Sequence, residues 1–216
     1  GILGANGGWG GYAQLAVVPA RSVLPIPRSM SFAEAASVPL TFLTAYHMLK
    51  TLARLQGGET VLVLGASSGV GVAAIQIAKA LGARVLAASS AREKLARAKA
   101  LGADEIILSN SRLAQSVKKL TGGRGVDVAF EHVGGELFQS ALRALAAGGR
   151  LVTCGATAGA QAAIDLRFVF FRELSILGAK MGPLAELSEI FALFERAALK
   201  PVVSRTFPLS EAREAQ

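Results

Sequence analysis

The segment Gly65-Ala-Ser-Ser-Gly-Val-Gly71 has the residue types that can hold a phosphate group. It follows the apolar run Val61–Leu64 and leads into a segment whose Val70, Ala74, Ile77, Ala78 and Leu81 share one helical face. A strand, a small-residue turn and a helix start leave unpaired backbone N–H groups pointing outward, at the end of the helix dipole that attracts anions. Gly69 and Gly71 let a ligand or a neighbouring strand approach the backbone. Ala66, Ser67, Ser68, Gly69, Val70 and Gly71 are therefore candidates to grip a dinucleotide's diphosphate. The strict G-x-G-x-x-G spacing is absent, because Ala66 and Ser68 stand at its first two glycine positions. An ordinary tight β-to-α connection stays open on the turn alone.

The next strand end discriminates between cofactors. A carboxylate about 20 residues past the glycines would bind the ribose hydroxyls of NAD. Ser89 and Ser90 stand there instead, followed by Arg92 and Lys94. Hydroxyls and cations bind a 2′-phosphate through charge-assisted hydrogen bonds, whereas a carboxylate would repel it. The pattern favours NADP(H) over NAD(H). Ser90 could also be the N-cap of a helix over 91–101 with the cations on its solvated face, and the two roles are compatible. Phe130-Glu-His-Val-Gly134 and Val152-Thr-Cys-Gly-Ala156 also end apolar strands in glycine turns. In a doubly wound sheet such turns face the ligand. The alternative is that His132 and Cys154 are ordinary loop and core residues.

The elements that would position these residues alternate along the chain. Strands are expected near 60–64, 84–88, 105–108, 126–130, 149–153 and 175–179, and helices near 70–81, 91–101, 111–120 and 135–146. This order predicts a parallel sheet with helices on both faces. Upstream, residues 12–18 and 23–26 read as short extended pieces. Ser31 and Glu34 form a capping box, and a longer helix runs from about Pro39 to Ala53. Downstream, a helix carrying Leu187, Ile190, Phe191 and Phe194 precedes a short strand at 202–207, and another helix starts near Ser210.

Composition narrows the class. The chain has 216 residues, 52% of them hydrophobic, and a single cysteine, Cys154, so it has no internal disulfide and suits a reducing, cytoplasmic setting. No signal peptide or membrane segment is legible. The net charge of +8 is spread out: residues 1–108 carry 10 basic and 5 acidic side chains, and the rest carry 13 and 10. That argues against a nucleic-acid partner and suits a polyphosphate cofactor. The chain opens on Gly1 and stops at Gln216 within a helical pattern, as an internal portion of a longer protein would.

The order of motifs resembles the medium-chain dehydrogenase/reductase family, with its zinc-type alcohol dehydrogenases and quinone oxidoreductases. The resemblance is carried by Gly10-Gly-Tyr-Ala-Gln14, Val18-Pro-Ala20, Glu34-Ala-Ala36, Leu43-Thr-Ala-Tyr46, Gly58-Glu-Thr-Val-Leu62, Gly65–Gly71, Leu101-Gly-Ala-Asp104, Gly125-Val-Asp127, His132-Val-Gly134 and Gly149-Arg-Leu-Val152. It implies an α/β Rossmann doubly wound parallel sheet with remnants of a GroES-like, β-rich catalytic domain at both ends. Residues 1–38 would close the first part of that catalytic domain, 39–178 would form the NAD(P)-binding domain, and 179–216 would return toward the catalytic domain. Thr44, His132-Val133-Gly134 and Cys154-Gly155-Ala156 would border the nicotinamide. Members form homodimers or higher homo-oligomers through the cofactor domain, here near 174–180.

The resemblance also raises zinc. Two catalytic ligands would come from upstream of this chain, and the position of the third, often a cysteine, aligns with Leu40. A zinc site is thus expected only through upstream residues. His47, His132 and Cys154 lack metal-ligand spacing, and His47 is expected to be packed or partly exposed. The expected activity is hydride transfer between nicotinamide and a small carbonyl or alcohol, as in the zinc-type group, or a quinone or enone in a zinc-independent reductase. The 216 residues alone are expected to bind NADPH with little or no turnover.

Overall fold

The computed structural model describes residues 11–196 and 198–216, except for the side chains of Arg92 and Lys94. Strands β1 (Thr60–Val63), β2 (Arg84–Ser89), β3 (Glu105–Leu108), β4 (Val126–Glu131), β5 (Leu145–Thr153) and β6 (Ser175–Gly178) form one parallel sheet. Their order, β3-β2-β1-β4-β5-β6, reverses direction between β1 and β4. That reversal opens a crevice at the carboxyl ends of the two central strands, where doubly wound sheets bind ligands.

Period-two alternation assigns the side chains to two cores. Val61, Val63, Val85, Val128 and Phe130 point to a layer that includes helices α2 (Val38–Tyr46), α3 (Gly69–Ala80) and α8 (Leu184–Glu195). Leu62, Leu86, Ala129 and Leu151 point the other way, onto α5 (Leu113–Leu120) and α6 (Gly135–Ala144). β1 and β4 are buried along their whole length, as continuous apolar runs in a parallel sheet should be. Helix α4 (Arg92–Ala100) packs beside β2 and β3.

Several boundaries differ from the sequence-based expectation. The capping box forms as read: Ser31 Oγ accepts from Glu34 N and caps α1 (Phe32–Ala36). The helix expected to run from Pro39 to Ala53 is α2 followed by a π-helical turn, His47–Leu52, closed by Ala53 N–H donating to Met48 O at 2.9 Å. The 135–146 helix stops at Ala144, because β5 begins at Leu145. Helix α7 (Leu166–Phe171) was not expected; its six largely apolar residues show no helical period, and only the Asp165 cap marks it.

The segments 12–18, 23–26 and 202–207 are not strands. They pair with no strand among the described residues, and Leu15 and Val17 remain exposed. The last of these is fixed at its start by α3 instead: Lys200 N donates to Gln76 Oε1 at 2.8 Å, and Gln76 Nε2 donates to Lys200 O at 3.1 Å. Near Ser210 a short 3₁₀ turn, Leu209–Glu211, leads into α9 (Ala212–Ala215). Among the described residues no helix is long and apolar enough to cross a membrane.

Candidate cofactor site

The β1–α3 turn lies at the crevice and is open. Ser67 and Gly69 are exposed, while Ala66 and Gly71 are buried beneath them. Ser68 is the N-cap of α3: its Oγ accepts from Gly71 N at 3.0 Å. Among the described residues, the N–H groups of Gly69 and Val70 find no protein acceptor, so the helix start presents free donors. Two glycines are demanded by packing. A Cβ on Gly71 would lie 2.3 Å from Gly65 O, and one on Gly65 (φ +57°) would lie 2.6 Å from the His132 ring. Gly71 thus serves strand–helix contact directly. A groove of about 270 Å³ adjoins Ser67 and Gly69 and is also lined by Thr41, Arg97 and Ser204.

The turns after β4 and β5 meet the first turn here. His132 Nε2 lies 3.2 Å from Ser68 Oγ, so the side chain sits between the two turns. Cys154 N donates to Glu131 O at 3.3 Å, and Ala158 N donates to Val133 O at 2.7 Å. Gly134 pairs with Gly159 in an isolated parallel bridge. A second groove, of about 870 Å³, opens beside Gly134, Gly135 and the 158–163 loop. Gly155 and Ala156 are exposed. Cys154 is half-buried; burial, with a contribution from the Glu131 charge, pushes its thiol up to about 11, so it stays neutral. Thr44 is buried in α2, and its hydroxyl donates to Leu40 O at 2.7 Å.

Glu131 was absent from the sequence-based site, yet it links these turns. Its Oε1 accepts from Val133 N and Gly134 N at 2.5 Å each, and its Oε2 accepts from Thr153 Oγ1 at 2.7 Å. A carboxylate ending a central strand just before a glycine turn was the available signal.

At the edge beyond β2 the structure corrects one detail. Ser89 is 3% exposed and its Oγ accepts weakly from Ala91 N at 3.5 Å, while Ser90 is exposed. Ser90 is not the N-cap of α4. Ala91 takes that position without a side-chain bond, because the helix starts one residue later than read. Arg92 and Lys94 fall in the first turn of α4, with their side chains outside the described residues. Beside them the structure adds Ser109, whose N–H donates to Ser89 O at 2.9 Å and whose Oγ is buried without a partner.

Among the described residues, no three His, Cys, Asp or Glu side chains cluster as metal ligands. His47 is half-buried against α8, its Nδ1 2.8 Å from Glu186 Oε1. Leu40, exposed near the start of α2, has no donor atom for a metal.

Residues 69–196 match the family described as zinc-binding dehydrogenase. The chain belongs to that family. It is 43% identical over 202 residues to the spectinabilin polyketide synthase system protein NorB of Streptomyces orinoci, a match covering 92% of this chain and 9% of NorB. A solved NAD-dependent alcohol dehydrogenase superposes with a TM-score of 0.91 at 44% identity, covering 95% of this chain and 60% of that one. The quinone oxidoreductase of Thermus thermophilus, solved also with NADPH, superposes with a TM-score of 0.84 at 40% identity, covering 95% and 68%. This zinc-binding dehydrogenase chain therefore spans only part of its relatives, and its sheet is their Rossmann-like core.

Proposed function

We propose that this chain is the NADP(H)-binding portion of an oxidoreductase that reduces an activated carbonyl or conjugated alkene. The observation that carries the reading is the β1–α3 turn, where Gly69 and Val70 present N–H groups without an acceptor among the described residues and Ser67 and Gly69 lie exposed beside a groove. When bound there, the cofactor's nicotinamide supplies the hydride, and the protein supplies position and electrostatics. Ser67, Ser68, Gly69, Val70 and Gly71 would hold the diphosphate over Ala66. Ser89, Ser90 and the Arg92 and Lys94 positions would take the 2′-phosphate. Thr44, His132-Val133-Gly134 and Cys154-Gly155-Ala156 would border the nicotinamide. The NADPH complex of the Thermus relative supports this preference.

Two substrate readings share this site: a zinc-polarised carbonyl or alcohol, and a quinone or enone reduced without metal. Leu40 favours the second, since α2 offers no ligand where the family often carries a cysteine. Hydrogen-bond donors would then polarise the substrate. Residues 1–38 and 179–216 are assigned to the catalytic domain and 39–178 to the cofactor domain. The exposed edge at β6, with Phe170 and Phe171 of α7 beside it in sequence, is assigned to self-association.

Titration with NADPH and NADH, followed by nicotinamide fluorescence, tests the reading. Tighter binding of NADPH is expected. Binding of neither cofactor, or equal binding of both, would overturn the reading or its 2′-phosphate assignment respectively.

A further inference from the structure

Glu131 is completely buried at the carboxyl end of β4. All three of its partners are neutral donors: two backbone N–H groups of the 132–134 turn and the Thr153 hydroxyl at the end of β5. Among the described residues no Lys, Arg or His forms a salt bridge with it. The neighbouring titratable groups do not neutralise it either. Cys154 is a neutral thiol, and the His132 ring is turned to Ser68. Glu131 is therefore held by dipoles in a dry environment, where the field of a charge reaches further than it would in water.

We infer that Glu131 lowers the reduction potential of the cofactor by favouring the oxidised nicotinamide at the turns it holds. The inference rests on the reading above, in which 132–134 and 154–156 border that ring. Loss of a hydride, two electrons with one proton, turns the neutral ring of NADPH into the cationic ring of NADP⁺. A fixed negative charge beneath the turns stabilises the cationic form and leaves the neutral form unaffected. NADPH bound there is a stronger donor to the carbonyl or alkene that receives the hydride. Glu131 is a positioning and tuning residue, acting through the turns rather than by touching substrate.

The test separates charge from architecture. Glu131→Gln keeps the shape, with an amide oxygen for Val133 and Gly134 and an amide N–H for Thr153, while removing the charge. Thr153→Val removes one hydrogen bond and leaves the charge. Dissociation constants for NADP⁺ (calorimetry) and NADPH (fluorescence) are measured on the protein and both variants. Glu131→Gln should raise Kd(NADP⁺)/Kd(NADPH) about tenfold, equivalent to about +30 mV for a two-electron couple, and Thr153→Val should leave the ratio unchanged.

Equal losses for both forms in Glu131→Gln, or the same ratio shift in Thr153→Val, would make Glu131 a mere pin and overturn the inference. Should Glu131→Gln fail to fold, the unmodified protein decides: it should hold NADP⁺ at least as tightly as NADPH. A preference for NADPH above about tenfold overturns the inference. If neither form binds, the cofactor reading itself falls, which is distinct from a normal affinity with an unshifted ratio.

Discussion

The two ends of the sheet treat carboxylates in opposite ways. At the amino ends of the strands, Asp127, Glu59 and Asp104 are each paired with a cation, respectively Arg124, Arg150 and Lys79. Each also accepts a backbone N–H: Asp127 from Thr60 at 2.8 Å, Asp104 from Val85 at 2.7 Å, and Glu59 from Gln56 at 2.8 Å. Burial works against the charge of all three, but these partners outweigh it and hold the carboxyls below their ordinary values. At the carboxyl ends, Glu131 is more deeply buried and has only dipoles. The amino end pairs its carboxylates with cations, whereas the carboxyl end keeps free N–H donors and, among the described residues, a buried carboxyl without a cationic partner.

The contrast can be broken most decisively at the carboxyl end. Gly71→Val should abolish detectable NADPH binding and destabilise the fold by about 1–3 kcal/mol, because its Cβ would fall 2.3 Å from Gly65 O. Fluorescence titration and denaturant unfolding measure the two losses; near-normal affinity would mean that this turn does not hold the cofactor. Ser89→Asp should change the NADPH/NADH preference about thirtyfold toward NADH, since a carboxylate at the end of β2 repels a 2′-phosphate. An unchanged ratio would remove Ser89 from the site.

The amino end should respond in stability alone. Arg150 donates to Ala53 O at 3.1 Å and to Glu59 at 2.8 and 2.9 Å, tying β5 to the π-helical turn. Arg150→Ala should cost about 1–2 kcal/mol in denaturant unfolding and leave the NADPH/NADH ratio unaltered. A changed ratio would erase the division between the two ends.

The smallest effect is that of pH. Carboxyls with depressed folded-state pKa values contribute stability above their unfolded values, here near 3.8 for Asp104 and Asp127 and 4.5 for Glu59. That stability is lost as pH falls below this range. Melting temperature should decline with acidification from about pH 5, and Arg150→Ala should flatten the part of the decline due to Glu59. An equal slope in the variant would mean that the Glu59 pair contributes nothing.

The turn at 65–71 and the edge at Ser89 were legible because the residues concerned are close in sequence and their backbone demands are local. Glycines mark tight approach, Ser68 marks a cap, and a missing carboxylate marks a cofactor preference. The contacts of Glu131 with Val133 and Gly134 are local, and a carboxylate before a glycine turn was their signal, whereas the bond to Thr153, at the end of another strand, was not legible. Ser109 was missed for the same reason: only the β2–β3 pairing brings it to Ser89. The expected strand at 202–207 failed, and the extended pieces at 12–18 and 23–26 stay unpaired among the described residues, because an extended, apolar segment becomes a strand only when a partner edge is available.

By itself the sequence determined the alternation of strands and helices, the small-residue mouth after the first strand and the absence of an acidic residue after the second. Each follows from hydrophobic period and local backbone chemistry. Only the tertiary structure decided which turns meet, that His132 closes over Gly65 and that Glu131 is buried without a cationic partner among the described residues. Those facts depend on strand order and register, which join residues 22 positions apart at Thr153 and 64 apart at His132 and leave no trace in local pattern.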